Sequence, residues 1–212
     1  MAIFARFLNR VTKGRLLPAH ITVLSFLGHI PAAWALWTCR PILAAVLITV
    51  FGLMDSLDGA LAREQNRASR LGMFFDAVTD RMKEIIVYTA LIVYTTQHAP
   101  DIQSWVIVAV AGTSLLVSYV KAKGEMALAG DEHNAQKLNR MFDGGIARYE
   151  IRMALLVVGL LSGSSLLGPI LRFIVAINLI TAALRFLQVS QLLSEIAAET
   201  KKTPTKKPAK KK

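Results

Sequence analysis

Four aspartates, Asp55, Asp58, Asp76 and Asp80, stand in the stretch MDSLDGALAREQNRASRLGMFFDAVTD, from Met54 to Asp80. Asp55 and Asp58 are three apart and Asp76 and Asp80 four apart, so on helices each pair shares a face. The intervening segment, Ala62 to Leu71, is short enough to make the two helices antiparallel neighbours. Four carboxylates then converge. Unpaired, they would repel one another at a cost of several kcal/mol in a low-dielectric site. Arg63 and Arg81 offer part of the countercharge. Hard divalent cations suit an all-oxygen cluster better, and Mg²⁺ or Mn²⁺ is usual where a phosphate shares the site. The absence of His and Cys from the stretch argues against zinc. Gly59, Ala62 and Gly72 are small residues beside the acids, and the pattern reads as a metal site next to a slot. Close helix packing is the alternative for such residues.

The elements that must position these acids are apolar. Of 212 residues, 54% are hydrophobic, yet the formal net charge is +11 with 18% of residues charged. Mean hydropathy is +0.46. This excludes an ordinary soluble domain and points to an anionic membrane surface before nucleic acid. The single cysteine, Cys39, excludes an intrachain disulfide. Six segments approach the roughly 20 apolar residues that a spanning helix needs: 20–38, 41–61, 73–97, 102–122, 150–165 and 168–190. Pro41, Gly72 and the run 163–169 mark boundaries. The expected fold is therefore all-α and integral to the membrane, with six transmembrane helices over residues 18–192. Residues 1–17 read as an amphipathic interfacial helix, with Ile3, Phe4, Phe7, Leu8 and Val11 on one face. Residues 193–212 read as a disordered basic tail. Residues 130–145 read as a long polar loop.

Loop charge orients the bundle. Arg6, Arg10, Lys13 and Arg15 precede the first segment, and Arg63, Arg67 and Arg70 lie between the second and third. Lys121, Lys123, Lys137, Arg140, Arg148 and Arg152 surround the fourth connection. The remaining connections offer Arg40 and Arg172. This bias puts both termini and the aspartates on the cytoplasmic side of the cell membrane.

The spacing Asp55-x₂-Asp58-Gly59-x₂-Ala62-Arg63-x₈-Gly72-x₃-Asp76-x₃-Asp80 resembles the signature of the CDP-alcohol phosphotransferase family at every fixed position. The resemblance implies transfer of a phosphatidyl or archaeal lipid-phosphate group from a CDP-lipid to an alcohol, with release of CMP. It assigns Asp55, Asp58, Asp76 and Asp80 to two divalent ions, Mg²⁺ or Mn²⁺. Asp80 is also the expected general base. Gly59, Ala62, Arg63, Ser69 and Gly72 join Asp55 and Asp58 along the CDP-lipid slot. A homodimer is implied as well, and no nucleic-acid partner. The chain departs from the family at Ala19, where members often carry Asn or Asp.

For the acceptor, Ser118-Tyr-Val-Lys121-Ala-Lys123-Gly-Glu125 and Asp80-Arg81 resemble the branch that uses inositol phosphate. Lys121, Lys123, Arg148 and Arg185 are then expected to bind the acceptor phosphate, with Arg152, one helical turn from Arg148, off the pocket. Lysines at these positions would equally serve as membrane anchors. Two alternatives remain at this stage. One is transfer to glycerol 3-phosphate. The other is an ion-coupled transporter with the aspartates as relay, which the clustering of the acids at one membrane face disfavours.

Overall fold

The computed structural model describes residues 1–129, 131–143 and 147–202, and those residues form eight helices without a strand. They are α1 (Ala2–Val11), α2 (Pro18–Trp37), α3 (Pro41–Glu64), α4 (Arg70–His98), α5 (Ser104–Ala127), α6 (Glu132–Asp143), α7 (Tyr149–Leu161) and α8 (Ser164–Lys202). Pro18 and Pro41 each open a helix, where the missing N–H costs nothing. Ser69 caps α4 by accepting a 3.0 Å hydrogen bond from the Gly72 N–H. Gly163 takes a φ of +80° between α7 and α8, a conformation that glycine adopts without strain.

Among the described residues, four helices are long and apolar enough to cross a membrane: α2, α3, α5 and α8. The protein is thus an all-helical, multi-pass membrane protein. The expected third and fifth segments do form helices, but of another character. Helix α4 has 29 residues and carries Asp76, Asp80, Arg81, Lys83 and Glu84. Helix α7 has only 13 residues, roughly 20 Å of rise, short of a bilayer core.

Two further expectations are corrected. The polar stretch 130–145 contains α6, whose Leu138 and Phe142 bury themselves against Leu128 and Leu192. Helix α8 runs on to Lys202, well past the expected start of a disordered tail at residue 193. Residues 203–212 of that tail lie outside the described residues.

The apolar core gathers side chains from α2, α3, α4, α5, α7 and α8, among them Leu36, Ile48, Leu91, Ile107, Leu156 and Leu171. A second cluster ties α1 to the far end of α3: Ala5 packs on Ile21, Leu57, Ala60 and Leu61. Ile3, Phe4, Phe7 and Val11 of α1 remain exposed. Helix α2 packs on both α3 and α4, but α3 and α4 do not pack closely on each other. They are not the neighbours that the short 62–71 connection suggested. Polar side chains of α2 reach the aspartates of α3, and Lys83 of α4 reaches Asp55 across the remaining gap.

Candidate active site

Helix α3 presents Asp55 and Asp58 from its last turns, and α4 presents Asp76 and Asp80 from its first turns. One carboxylate oxygen from each of Asp55, Asp76 and Asp80 lies within 4.8 Å of the others. Asp76 is exposed, Asp55 and Asp80 are half-buried, and Asp58 is buried. The cluster therefore opens on one side and is floored on the other.

Helix α2 supplies the floor. Thr22 donates a hydrogen bond to Asp58 Oδ2. Ser25 Oγ lies 2.9 Å from the Phe51 carbonyl and 3.1 Å from Asp55 Oδ1. His29 Nδ1 is 2.8 Å from the Ser25 carbonyl, and its Nε2 is 3.3 Å from the Tyr149 hydroxyl. Sequence reasoning missed these residues. The available signal was Thr22, Ser25 and His29 at helical spacing in an otherwise apolar segment. Ala19 itself brings no polar group.

The internal cation is Lys83, not Arg63. Lys83 Nζ lies 2.5 Å from Asp55 Oδ1 and 2.8 Å from Asp80 Oδ1, and the side chain is fully buried. It also sits over the Tyr149 ring, 4.9 Å from the centroid. Arg81 contributes less, with Nη2 3.7 Å from Asp80 Oδ2, because it pairs with Glu84 at 2.7 Å. Arg63 is exposed, its Nη1 reaching back toward Gly59.

The glycines expected to line a slot face open space. A Cβ added at Gly59 would meet only Arg63 Nη1, at 3.6 Å, and one at Gly72 only Ser69 Oγ, at 3.3 Å. Neither glycine is a helix-packing contact. Ala62 is half-buried nearby, and Ser69 is committed to its cap.

The basic residues divide in a way the sequence did not indicate. Lys121 pairs with Glu125 at 3.8 Å and is half-exposed. Lys123 is exposed beside the Tyr119 ring. Arg148 precedes α7, exposed, with Glu150 at 3.6 Å. Arg152, expected off the pocket, instead points inward: its side chain is 2% exposed, it donates to Glu84 Oε1 at 2.8 Å and also to the Ala147 carbonyl. One turn of α7 separates the two arginines, and the inward face of that helix carries Arg152. Arg185 is buried, donates to the Val117 carbonyl at 3.0 Å and lies over the Phe142 ring. It is within electrostatic range of Arg152, Arg81 and Glu125. Among the described residues, Arg152 Nη2 and Arg185 Nε are buried without a hydrogen-bond partner. Among the described residues, Lys121, Lys123 and Arg148 make no polar contact with Arg185.

An open carboxylate cluster of this size fits oxygen-coordinated divalent ions. Two buried guanidinium groups with unused donors fit an anion. The sequence matches the family described as CDP-alcohol phosphatidyltransferase over residues 15–184. The chain belongs to that family. It is 31% identical over 137 residues to the phosphatidylinositol phosphate synthase of Mycobacterium tuberculosis, covering 61% of this chain and 63% of the relative. The chain thus aligns with less than two thirds of that relative. It is 30% identical over 121 residues to the archaetidylinositol phosphate synthase of Aeropyrum pernix, covering 57% and 58%. Its fold resembles the crystal structure of M. tuberculosis phosphatidylinositol phosphate synthase in complex with manganese and citrate, with a TM-score of 0.70 and 25% identity, covering 89% of this chain and 88% of the other. The same enzyme with CDP-DAG bound superposes with a TM-score of 0.69 at 24% identity.

Proposed function

We propose that the protein transfers a phosphatidyl group, or its archaeal equivalent, from a CDP-lipid to a hydroxyl of inositol phosphate, releasing CMP. The observation that carries this reading is the aspartate cluster in the gap between α3 and α4, built from a complete family signature. The names of the two relatives above support the acceptor.

In this reading Asp55, Asp58, Asp76 and Asp80 hold two divalent ions, Mg²⁺ or Mn²⁺. When bound, such ions neutralise charge on the phosphoryl and leaving-group oxygens. Thr22 and Ser25 fix the two carboxylates of α3. Asp80 takes the proton of the acceptor hydroxyl as its oxygen bonds to the lipid-bearing phosphorus. The bond from that phosphorus to the CMP oxygen breaks in line, and CMP leaves with the bonding electrons. Asp55, Asp58, Gly59, Ala62, Arg63, Ser69 and Gly72 line the donor slot, where the absence of side chains at the two glycines lets the nucleotide approach the backbone.

The acceptor phosphate is held by Arg185. Arg152 and its partner Glu84 complete that buried end, and Lys121, Lys123 and Arg148 form the cationic rim through which the acceptor enters. The site and both termini face the cytoplasm, with α4 and the shorter α7, which does not reach across the bilayer core by itself, as the two further membrane-embedded segments and α1 lying on an anionic leaflet. The protein works as a homodimer in this reading, as the resemblance to the family implies. The purified protein with CDP-diacylglycerol and Mg²⁺, offered inositol phosphate, glycerol 3-phosphate, inositol and serine, should release CMP fastest with inositol phosphate. Unphosphorylated inositol should be a poor acceptor, because it leaves buried cations unpaired. Faster release with glycerol 3-phosphate would reassign the acceptor; no CMP release with any member of the panel would sink the transferase reading.

A further inference from the structure

Lys83 has no part in the chemistry just described, yet it is the most completely enclosed charge in the site. Its ammonium nitrogen touches Asp55 Oδ1 at 2.5 Å and Asp80 Oδ1 at 2.8 Å, so it bridges α3 and α4. The Tyr149 ring closes the remaining side. Glu84 is not available to it, being shared between Arg81 and Arg152. Two of the three oxygen-bearing residues that could hold a metal are therefore already engaged by a cation of the chain itself.

We propose that Lys83 is the built-in countercation of the aspartate cluster, occupying the Asp55–Asp80 edge and competing there with a divalent ion. The proposal rests on the metal-binding reading of the cluster. The argument is steric and electrostatic. Mg²⁺ needs its oxygen ligands at about 2.0–2.1 Å. An ion drawing on Asp55 Oδ1 and Asp80 Oδ1 would occupy the space that the ammonium now fills. Two positive charges there would also repel each other strongly in a partly dehydrated gap. Metal entry at that edge thus requires the lysine to withdraw. Without metal, the same lysine offsets the mutual repulsion of the carboxylates and holds α3 and α4 at their separation.

The full-length protein in detergent is titrated with Mn²⁺ alone, free Mn²⁺ being read by electron paramagnetic resonance, and its thermal unfolding is followed in EDTA. Lys83→Met keeps the length of the side chain and its packing on Tyr149 while removing the charge. It should bind Mn²⁺ about tenfold tighter than the wild type, since one unit of opposing charge is gone. In EDTA its Tm should fall by roughly 8 °C or more, because a buried pair has lost one partner. Mn²⁺ affinity equal to or weaker than that of the wild type would overturn the proposal. Should Lys83→Met not fold even in Mn²⁺, Lys83→Arg decides. With the charge kept, it should bind Mn²⁺ no tighter than the wild type, and a tenfold gain there would equally overturn the proposal. A wild-type protein that binds no Mn²⁺, or whose binding is untouched by Asp55→Asn, would remove the metal site itself and this inference with it.

Discussion

Helix α3 passes through two different surroundings. Around Phe51 it lies flush against α2: a Cβ added at Gly28 would fall 2.1 Å from the Phe51 ring. One to three turns further on, from Asp55 to Ala62, its other face looks across a gap to α4, and a Cβ at Gly59 would meet only a flexible guanidinium. The same residue type thus serves close packing in one region and an open slot in the other. Gly159 repeats the first case, where an added Cβ would lie 2.9 Å from Leu167. The contrast shows how a small helical protein keeps a polar cavity at one end. Its apolar half is tightly packed at Gly28 and Gly159, and its charged half is braced by Thr22, Ser25 and Lys83.

The heaviest blow to the open region should come from Asp80→Asn. Loss of the base should lower turnover by roughly 10²–10⁴-fold while CDP-lipid still binds, measured as CMP release against donor binding. Asp58→Asn should weaken metal-dependent donor binding as well. Near-normal turnover by Asp80→Asn would remove that residue from the proton transfer.

Arg185→Ala tests the buried cationic end. It should raise the apparent KM for inositol phosphate about ten- to hundredfold with donor affinity little changed. Arg148→Ala, on an exposed side chain, should cost less. Equal effects of the two variants would mean that the acceptor stays at the rim.

The glycines sharpen the comparison directly. Gly28→Ala should destabilise the fold by roughly 1–3 kcal/mol, because the Phe51 ring must move within a packed interface. Gly59→Ala should leave the thermal midpoint unchanged or slightly raised, yet weaken CDP-lipid binding. If both variants lose stability alike, the gap is not open in the working protein.

Truncation after residue 199 should have the smallest effect, none on turnover in detergent. The removed residues carry seven lysines whose attraction to an anionic leaflet is roughly 1 kcal/mol each in a bilayer and absent in detergent. A large loss in detergent would bring the tail to the site.

Much of this architecture was legible in the sequence for a physical reason. Apolar runs of fixed length leave little choice, so α2, α3 and α5 fall close to their expected bounds. The acids were legible because i, i+3 and i, i+4 spacing fixes a shared face. What could not be read was which helix lies between which. Helix α2 packs on both α3 and α4, so its Thr22 and Ser25 became partners of Asp58 and Asp55 across more than two dozen residues of sequence. Lys83 stands three residues after Asp80, a spacing compatible with a local ion pair that carries no sign of the bridge to Asp55. On α7 the expectation put Arg148 at the pocket and Arg152 off it, whereas Arg152 is the one that is buried, against Glu84. The amphipathic α6 went unseen because most of its surface is polar, with few apolar positions to mark a buried face.

The most direct test follows labelled phosphate from acceptor into lipid. Purified protein receives CDP-diacylglycerol, Mg²⁺ and inositol phosphate labelled in its phosphate group, and the organic extract is counted. The account predicts label in the lipid fraction in step with CMP release, both lost in Asp80→Asn and both abolished by EDTA. Label that stays in the aqueous phase while CMP is released would contradict it, since the donor would then be cleaved without the proposed transfer.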